Sequence, residues 1–214
     1  MPTPIATGAD RVRLQRFAIR LEYATIAWNL GEAVFTIGLG IAAGSLALIG
    51  FGTDSIIEVF ASSVVVWHIR PGHPSEDAAR TKRALRLVAA AFIALAIVLA
   101  VVSIRDLVLG RRAGESVAGI VYLAITAVVM FSLAAAKHRT AASLGSAPLR
   151  SEASLTFLDG ILSTLTLTGL ALNAVLGWAW ADPAAALIVA VAAANEGREN
   201  LEEAAAIEGG KGPR

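Results

Sequence analysis

The sequence predicts an all-α membrane protein, a bundle of six transmembrane helices with both ends of the chain in the cytoplasm. Composition points there first: 56% of the 214 residues are hydrophobic and only 16% are charged, against about 25% charged in an average soluble domain. The second observation is a series of apolar runs, each near the roughly 20 residues that a helix needs to cross a bilayer. The third is the placement of Lys and Arg. With six spans and an inside N-terminus, the inside segments hold fifteen basic residues and the outside segments three, Arg105, Arg111 and Arg112. Cytoplasmic loops carry the excess of basic charge in membrane proteins, so the N-in, C-in orientation follows.

Residues 1–18 read as a polar, basic cytoplasmic tail, residues 19–197 as the six-helix transmembrane domain, and residues 198–214 as a short cytoplasmic tail. The apolar run after the first tail is too long for a signal-peptide core, so the tail is expected to stay uncleaved. Residues 23–67 are too long for one span, and the glycines Gly38, Gly40, Gly44 and Gly50 place a turn near 42–45, giving two helices. Residues 87–104 and 116–136 are uncharged and form the third and fourth spans. Residues 154–196 are again long enough for two, divided at "GWAWADP" (177–183) by tryptophans of the interfacial type and a proline suited to a helix start. The sixth span, 183–195, is short on its own and is expected to begin at the tryptophans. A net charge of +1 gives no reason to expect nucleic acid, and the absence of cysteine excludes disulfides, thiolate metal sites and Cys nucleophiles.

The stretch "GFGTDSIIEVFASSVVVW" (50–67) is apolar enough to span a membrane, yet Asp54 and Glu58 stack one turn apart on it. Glu32 precedes them, and Glu152 and Asp159 follow on the fifth helix; neither segment contains a Lys, Arg or His to pair them. A charged side chain at mid-bilayer costs about 2.5–3.5 kcal/mol on insertion scales. The acids are therefore either protonated or matched by a cation that comes and goes, and a proton-coupled cation site does both. Polar stripes at helical period support clustering: Glu152, Thr156, Asp159, Ser163 and Thr166 on the fifth helix, Asp54, Glu58 and Ser62 on the second, Glu22, Thr25, Asn29, Glu32 and Thr36 on the first. The third and fourth spans have almost none and are expected to face lipid, other helices or a second subunit. Beside these readings stand plainer ones. Thr25, Thr36, Ser62 and Thr166 bond the carbonyl of the preceding turn, Glu22 and Glu152 sit at the interface, and Glu32 bonds Asn29.

With these residues in hand, the chain resembles the cation diffusion facilitator family, proton-coupled exporters of zinc and related divalent ions. The resemblance implies six helices, cytoplasmic termini, a homodimer, and a four-ligand metal site from Asp-x-x-x-Asp on the second helix and His-x-x-x-Asp on the fifth. "DSIIE" supplies Asp54 and Glu58 at the first motif, "LTFLDGILS" supplies Asp159 at the second, and "GWAWADPAAAL" resembles the family's turn into the sixth helix. Leu155 stands where the family has histidine, and no cytoplasmic C-terminal domain follows the sixth helix, as in the family's short subgroup. Glu152 ranks first and Glu32 second to replace the lost ligand, with Asn29 also within reach. The loop "HIRPGHPSED" offers His68, His73, Glu76 and Asp77, a composition that short polar loops collect without binding metal.

The expected function is export of a divalent cation from the cytoplasm in exchange for protons. Zinc comes first, with manganese, iron, cobalt or cadmium possible, through Asp54, Glu58 and Asp159 with Glu152 or Glu32. The ion is cargo, and no prosthetic group is expected. No nucleophile–base arrangement suggests an enzyme. The expected setting is the plasma or inner membrane of a prokaryote, as a homodimer held by membrane helices. The rivals are an organic-cation/proton exporter, suggested by Trp28 one turn before Glu32, and a non-transporting membrane scaffold.

Overall fold

A computed structural model describes residues 8–43, 46–70, 78–110, 117–178 and 180–208. Six helices account for nearly all of them: α1 (Ala9–Ala43), α2 (Leu46–Ile69), α3 (Ala78–Leu109), α4 (Val117–Leu144), α5 (Ala147–Leu176) and α6 (Ala181–Glu208). The break expected near 42–45 falls between α1 and α2, with Gly44 and Ser45 outside the described residues. The bundle's outer surface is apolar: Val34, Val108, Val175 and Ile188 are each at least 70% exposed. Water would not tolerate such a surface as a contiguous band, but lipid does. The six helices and this surface make the chain an all-α membrane protein.

The helices outrun the spans read from hydropathy. α1 has 35 residues, about 50 Å at 1.5 Å per residue, whereas the hydrocarbon core is about 30 Å thick. It starts inside the segment read as the first tail, and α6 continues to Glu208 through most of the second. The first extension is rich in Arg with Ala, Leu and Gln, the second in Ala and Glu, residues that hold helix as well in water as in lipid. Only α3 and residues 121–144 of α4 are long and apolar enough to cross by hydropathy alone, among the described residues. α1, α2 and α5 carry polar stripes, and the second half of α6 is strongly charged.

Helix neighbours form a closed ring in the order α1, α2, α3, α6, α5, α4 and back to α1, with α2 also touching α5 across the middle. The α2–α5 contact divides the bundle into two halves. One, between α2, α3, α5 and α6, is filled by an apolar core including Val65, Val88, Phe92, Leu95, Leu158, Leu162 and Val189. Small residues allow close approach there: a Cβ on Gly197 would lie 3.2 Å from the Phe92 Cβ and 3.3 Å from the Ala89 carbonyl oxygen. The other half, between α1, α2, α4 and α5, holds most of the buried polar side chains.

Two local features fix the second half. α4 ends on Gly145, whose φ of 61° suits glycine. The Ser146 N–H donates to the Ala141 carbonyl at 3.1 Å and the Gly145 N–H to that of Ala142 at 3.4 Å, a Schellman cap. Ser146 then caps α5, its Oγ accepting from the Leu149 N–H at 3.4 Å. The two helices are thereby folded back on each other with a two-residue link. At the far side, a Cβ on Gly52 would lie 2.5 Å from both Ile37 Cγ1 and Thr36 Oγ1; only glycine lets α2 approach α1 this closely.

Candidate cation site

Asp54 and Glu58 come from α2, Asp159 from α5 and Glu32 from α1, and all four are buried. Their stacking follows from the four-residue spacing on α2 and from the α2–α5 contact that sets Asp159 opposite. Asp159 is within electrostatic range of Glu58, Asp54 and Glu32, and Asp54 of Glu58 and Glu32. The structure thus brings four of the five predicted carboxylates into one region. Asn29 Nδ2 donates to Glu58 Oε2 at 3.0 Å and to the Thr25 carbonyl at 3.1 Å; its partner is Glu58, not Glu32 as one sequence reading had it. Glu32 instead stands beside the Tyr122 and Ser55 side chains. Tyr122 is held in turn by Trp28, stacked with ring centroids 6.5 Å apart, and by Phe35 at 6.1 Å.

One oxygen each of Glu32, Glu58 and Asp159 has no hydrogen-bond partner, nor do Asn29 Oδ1 and Ser163 Oγ. Buried polar atoms are nearly always satisfied in folded proteins, so this concentration marks a place built for a further partner. Oxygen donors of this kind suit a divalent cation. Among the described residues, no three Asp, Glu or His side chains already converge on one point to hold an ion. Carboxylates gain nothing by closing on one another without a cation between them.

Glu152 is placed differently. The sequence suggested that no cation pairs the membrane acids, and that is corrected by Lys137. This lysine, read as a cytoplasmic charge after the fourth span, is 0% exposed. Its Nζ donates to Glu152 Oε1 at 2.7 Å, to Glu152 Oε2 at 2.8 Å and to Thr156 Oγ1 at 3.1 Å. Glu22 Oε2 lies 3.2 Å from the same ammonium without a well-directed hydrogen bond. Glu22 and Glu152 are also 0% exposed, so both face the inside of the bundle. Ser62 Oγ donates to Glu152 Oε1 at 2.8 Å, rather than to the preceding turn. Thr25 and Thr36 do bond the preceding turn, at 3.2 and 2.8 Å.

The fourth helix is therefore part of the polar half. It supplies Lys137 and Tyr122, and packs on α5 and α1. Neither residue was singled out from the sequence. Leu155 lies in the apolar core cluster on the edge of α5's polar face. His68 is buried in the last turn of α2, with Nδ1 unpartnered; His73, Glu76 and Asp77 lie outside the described residues.

A family model described as the cation efflux transmembrane domain matches residues 23–207. No curated protein matches the chain. The family match spans all six helices and the carboxylates between them, and the chain belongs to the cation efflux family, as a membrane transporter of divalent cations.

Proposed function

We propose that this protein exports a divalent metal cation, zinc foremost, from the cytoplasm in exchange for protons. Asp54, Glu58 and Asp159 are the ligands and Glu32 completes the set. The observation that carries this reading is the group of buried carboxylates from three helices that share one region, of which Glu32, Glu58 and Asp159 each retain an unpartnered oxygen. Glu152, ranked ahead of Glu32 from the sequence, is left to Lys137. The ion draws the carboxylates together from the cytoplasmic side. A rearrangement of the helices opens the site to the outside, and protons there displace the ion. Carboxylate ligands bind metal deprotonated, so uptake of metal releases protons and the exchange is coupled through the site itself. A helix arrangement with both termini in the cytoplasm and a homodimeric assembly belong to the same reading.

An organic cation would need an open aromatic face beside Glu32. Trp28 is instead stacked on Tyr122, which favours the metal. Flux in proteoliposomes decides the matter. Zinc movement measured with a trapped indicator should rise with an opposing pH gradient and collapse when a protonophore removes it. Zinc movement indifferent to the gradient would rule out proton exchange. Transport of a lipophilic cation and not of zinc would establish the organic-cation reading.

A further inference from the structure

The polar half of the bundle is unevenly neutralised. Among the described residues, one buried lysine faces six buried carboxylates, those of Glu22, Glu32, Asp54, Glu58, Glu152 and Asp159. Lys137 pairs with two of them, Glu152 at 2.7 Å and Glu22 at 3.2 Å, and donates its hydrogen bonds on the first side only. An ammonium has three N–H donors, and all three are used, on Glu152 Oε1, Glu152 Oε2 and Thr156 Oγ1. Glu152 Oε1 also accepts from Ser62 and, at 3.2 Å, from Thr156. Glu152 is saturated, and it cannot ligate a metal ion without giving up the lysine. Glu22, whose oxygens also lack a hydrogen bond, still has the ammonium at 3.2 Å; Glu32, Glu58 and Asp159 each keep an oxygen with no partner and form no ion pair with it. The two sets nonetheless adjoin, because Glu58 is within electrostatic range of both Lys137 and Glu152 and stands beside Thr156.

We propose that Lys137 is a specificity-determining residue of the transport site: a tethered cation that withholds Glu152 and Glu22 from the transported ion and so holds the protein to one ion per chain. The proposal rests on the reading of Asp54, Glu58 and Asp159 as ligands. Its physical basis is competition for the same oxygens. A lysine on α4 cannot diffuse away, so at its own carboxylates it outcompetes any cation that must arrive from water. Without it, the space around Nζ would be lined by the carboxylates of Glu22 and Glu152 and the hydroxyls of Ser62 and Thr156. That all-oxygen set would accept a divalent ion of its own. A lysine that served packing alone would leave ion stoichiometry untouched when replaced.

The test is isothermal titration of detergent-purified protein with zinc chloride, comparing wild type with Lys137→Met, Lys137→Met/Glu152→Gln, Glu152→Gln and Asp54→Asn. Lys137→Met keeps an unbranched stem and removes the charge; it should take up one more zinc ion per chain than wild type. The double variant should lose that extra ion. Glu152→Gln alone leaves Lys137 paired with Glu22 and should keep the wild-type ion, which Asp54→Asn loses. A folded Lys137→Met with wild-type stoichiometry overturns the proposal. So does loss of the wild-type ion in Glu152→Gln, and this arm decides the matter where Lys137→Met does not yield folded protein. Zinc binding untouched by Asp54→Asn removes the transport-site reading, and this inference with it.

Discussion

Replacing Lys137 by methionine should cost more stability than any other single change within its ion cluster. The substitution leaves two carboxylates, Glu22 and Glu152, fully buried without a counter-charge. Removing one partner of a buried ion pair costs about 3–5 kcal/mol, because the surviving charge is left uncompensated. At about 2–4 °C per kcal/mol for a chain of this length, the melting temperature should fall by roughly 6–20 °C. Glu152→Gln should cost less, since Lys137 keeps Glu22 at 3.2 Å and the amide still accepts from Ser62. Glu22→Gln should cost least, about 1 kcal/mol or under, because Glu22 makes no well-directed hydrogen bond. Combining Lys137→Met with both glutamines should recover most of the loss, as a neutral set carries no orphaned charge. The four tryptophans report thermal unfolding in detergent by their intrinsic fluorescence. A Lys137→Met protein that melts with Glu22→Gln would show that the lysine is not ion-paired inside the bundle.

Three further outcomes are expected. On the cysteine-free background, a cysteine at Ser143 should be labelled only from the cytoplasmic side and one at Gly114 only from outside; the reverse pattern removes the orientation. Gly52→Ala should destabilise by about 1–3 kcal/mol through overpacking and lower transport, because its Cβ meets Ile37 and Thr36 at 2.5 Å. Gly31→Ala, with open space around it, should instead be neutral or stabilising in the same melts, and equal effects at the two positions would contradict the close α1–α2 approach. Leu155→His, one turn before Asp159, should strengthen zinc binding relative to manganese in isothermal titration, since imidazole suits zinc; an unchanged ratio in folded protein would mean that position 155 serves the apolar core alone.

The number of helices and the acids between them are legible in the sequence because both leave simple marks: apolar length, and carboxylates at helical spacing inside it. Helix ends are less so, because hydropathy marks where lipid stops and not where hydrogen bonding stops. α1 and α6 continue past the apolar runs on good helix formers. Lys137 was hidden by its neighbours. It heads the run Lys137, His138, Arg139, which reads as the basic edge of a cytoplasmic loop. The signal that separates it is periodicity. Leu123, Ala127, Met130, Ala134, Lys137, Ala141 and Leu144 recur at alternating steps of four and three, and every one is buried. His138 and Arg139 fall off that stripe. A lysine on the buried face of a membrane helix demands an acid opposite, and Glu22 and Glu152 answer it. Tyr122 left no such mark, because a tyrosine near the end of a span reads as an interfacial anchor until Glu32 is seen beside it.

The proposed site stands or falls on zinc flux in proteoliposomes under an opposing pH gradient, with Asp54→Asn, Glu58→Gln and Asp159→Asn each compared with wild type at equal, folded protein. An amide keeps the shape of the side chain while removing the charge and weakening the ligand. The expected result is that each of the three abolishes zinc movement. Wild-type flux in Asp54→Asn would contradict the assignment of these carboxylates as the place where the transported ion binds.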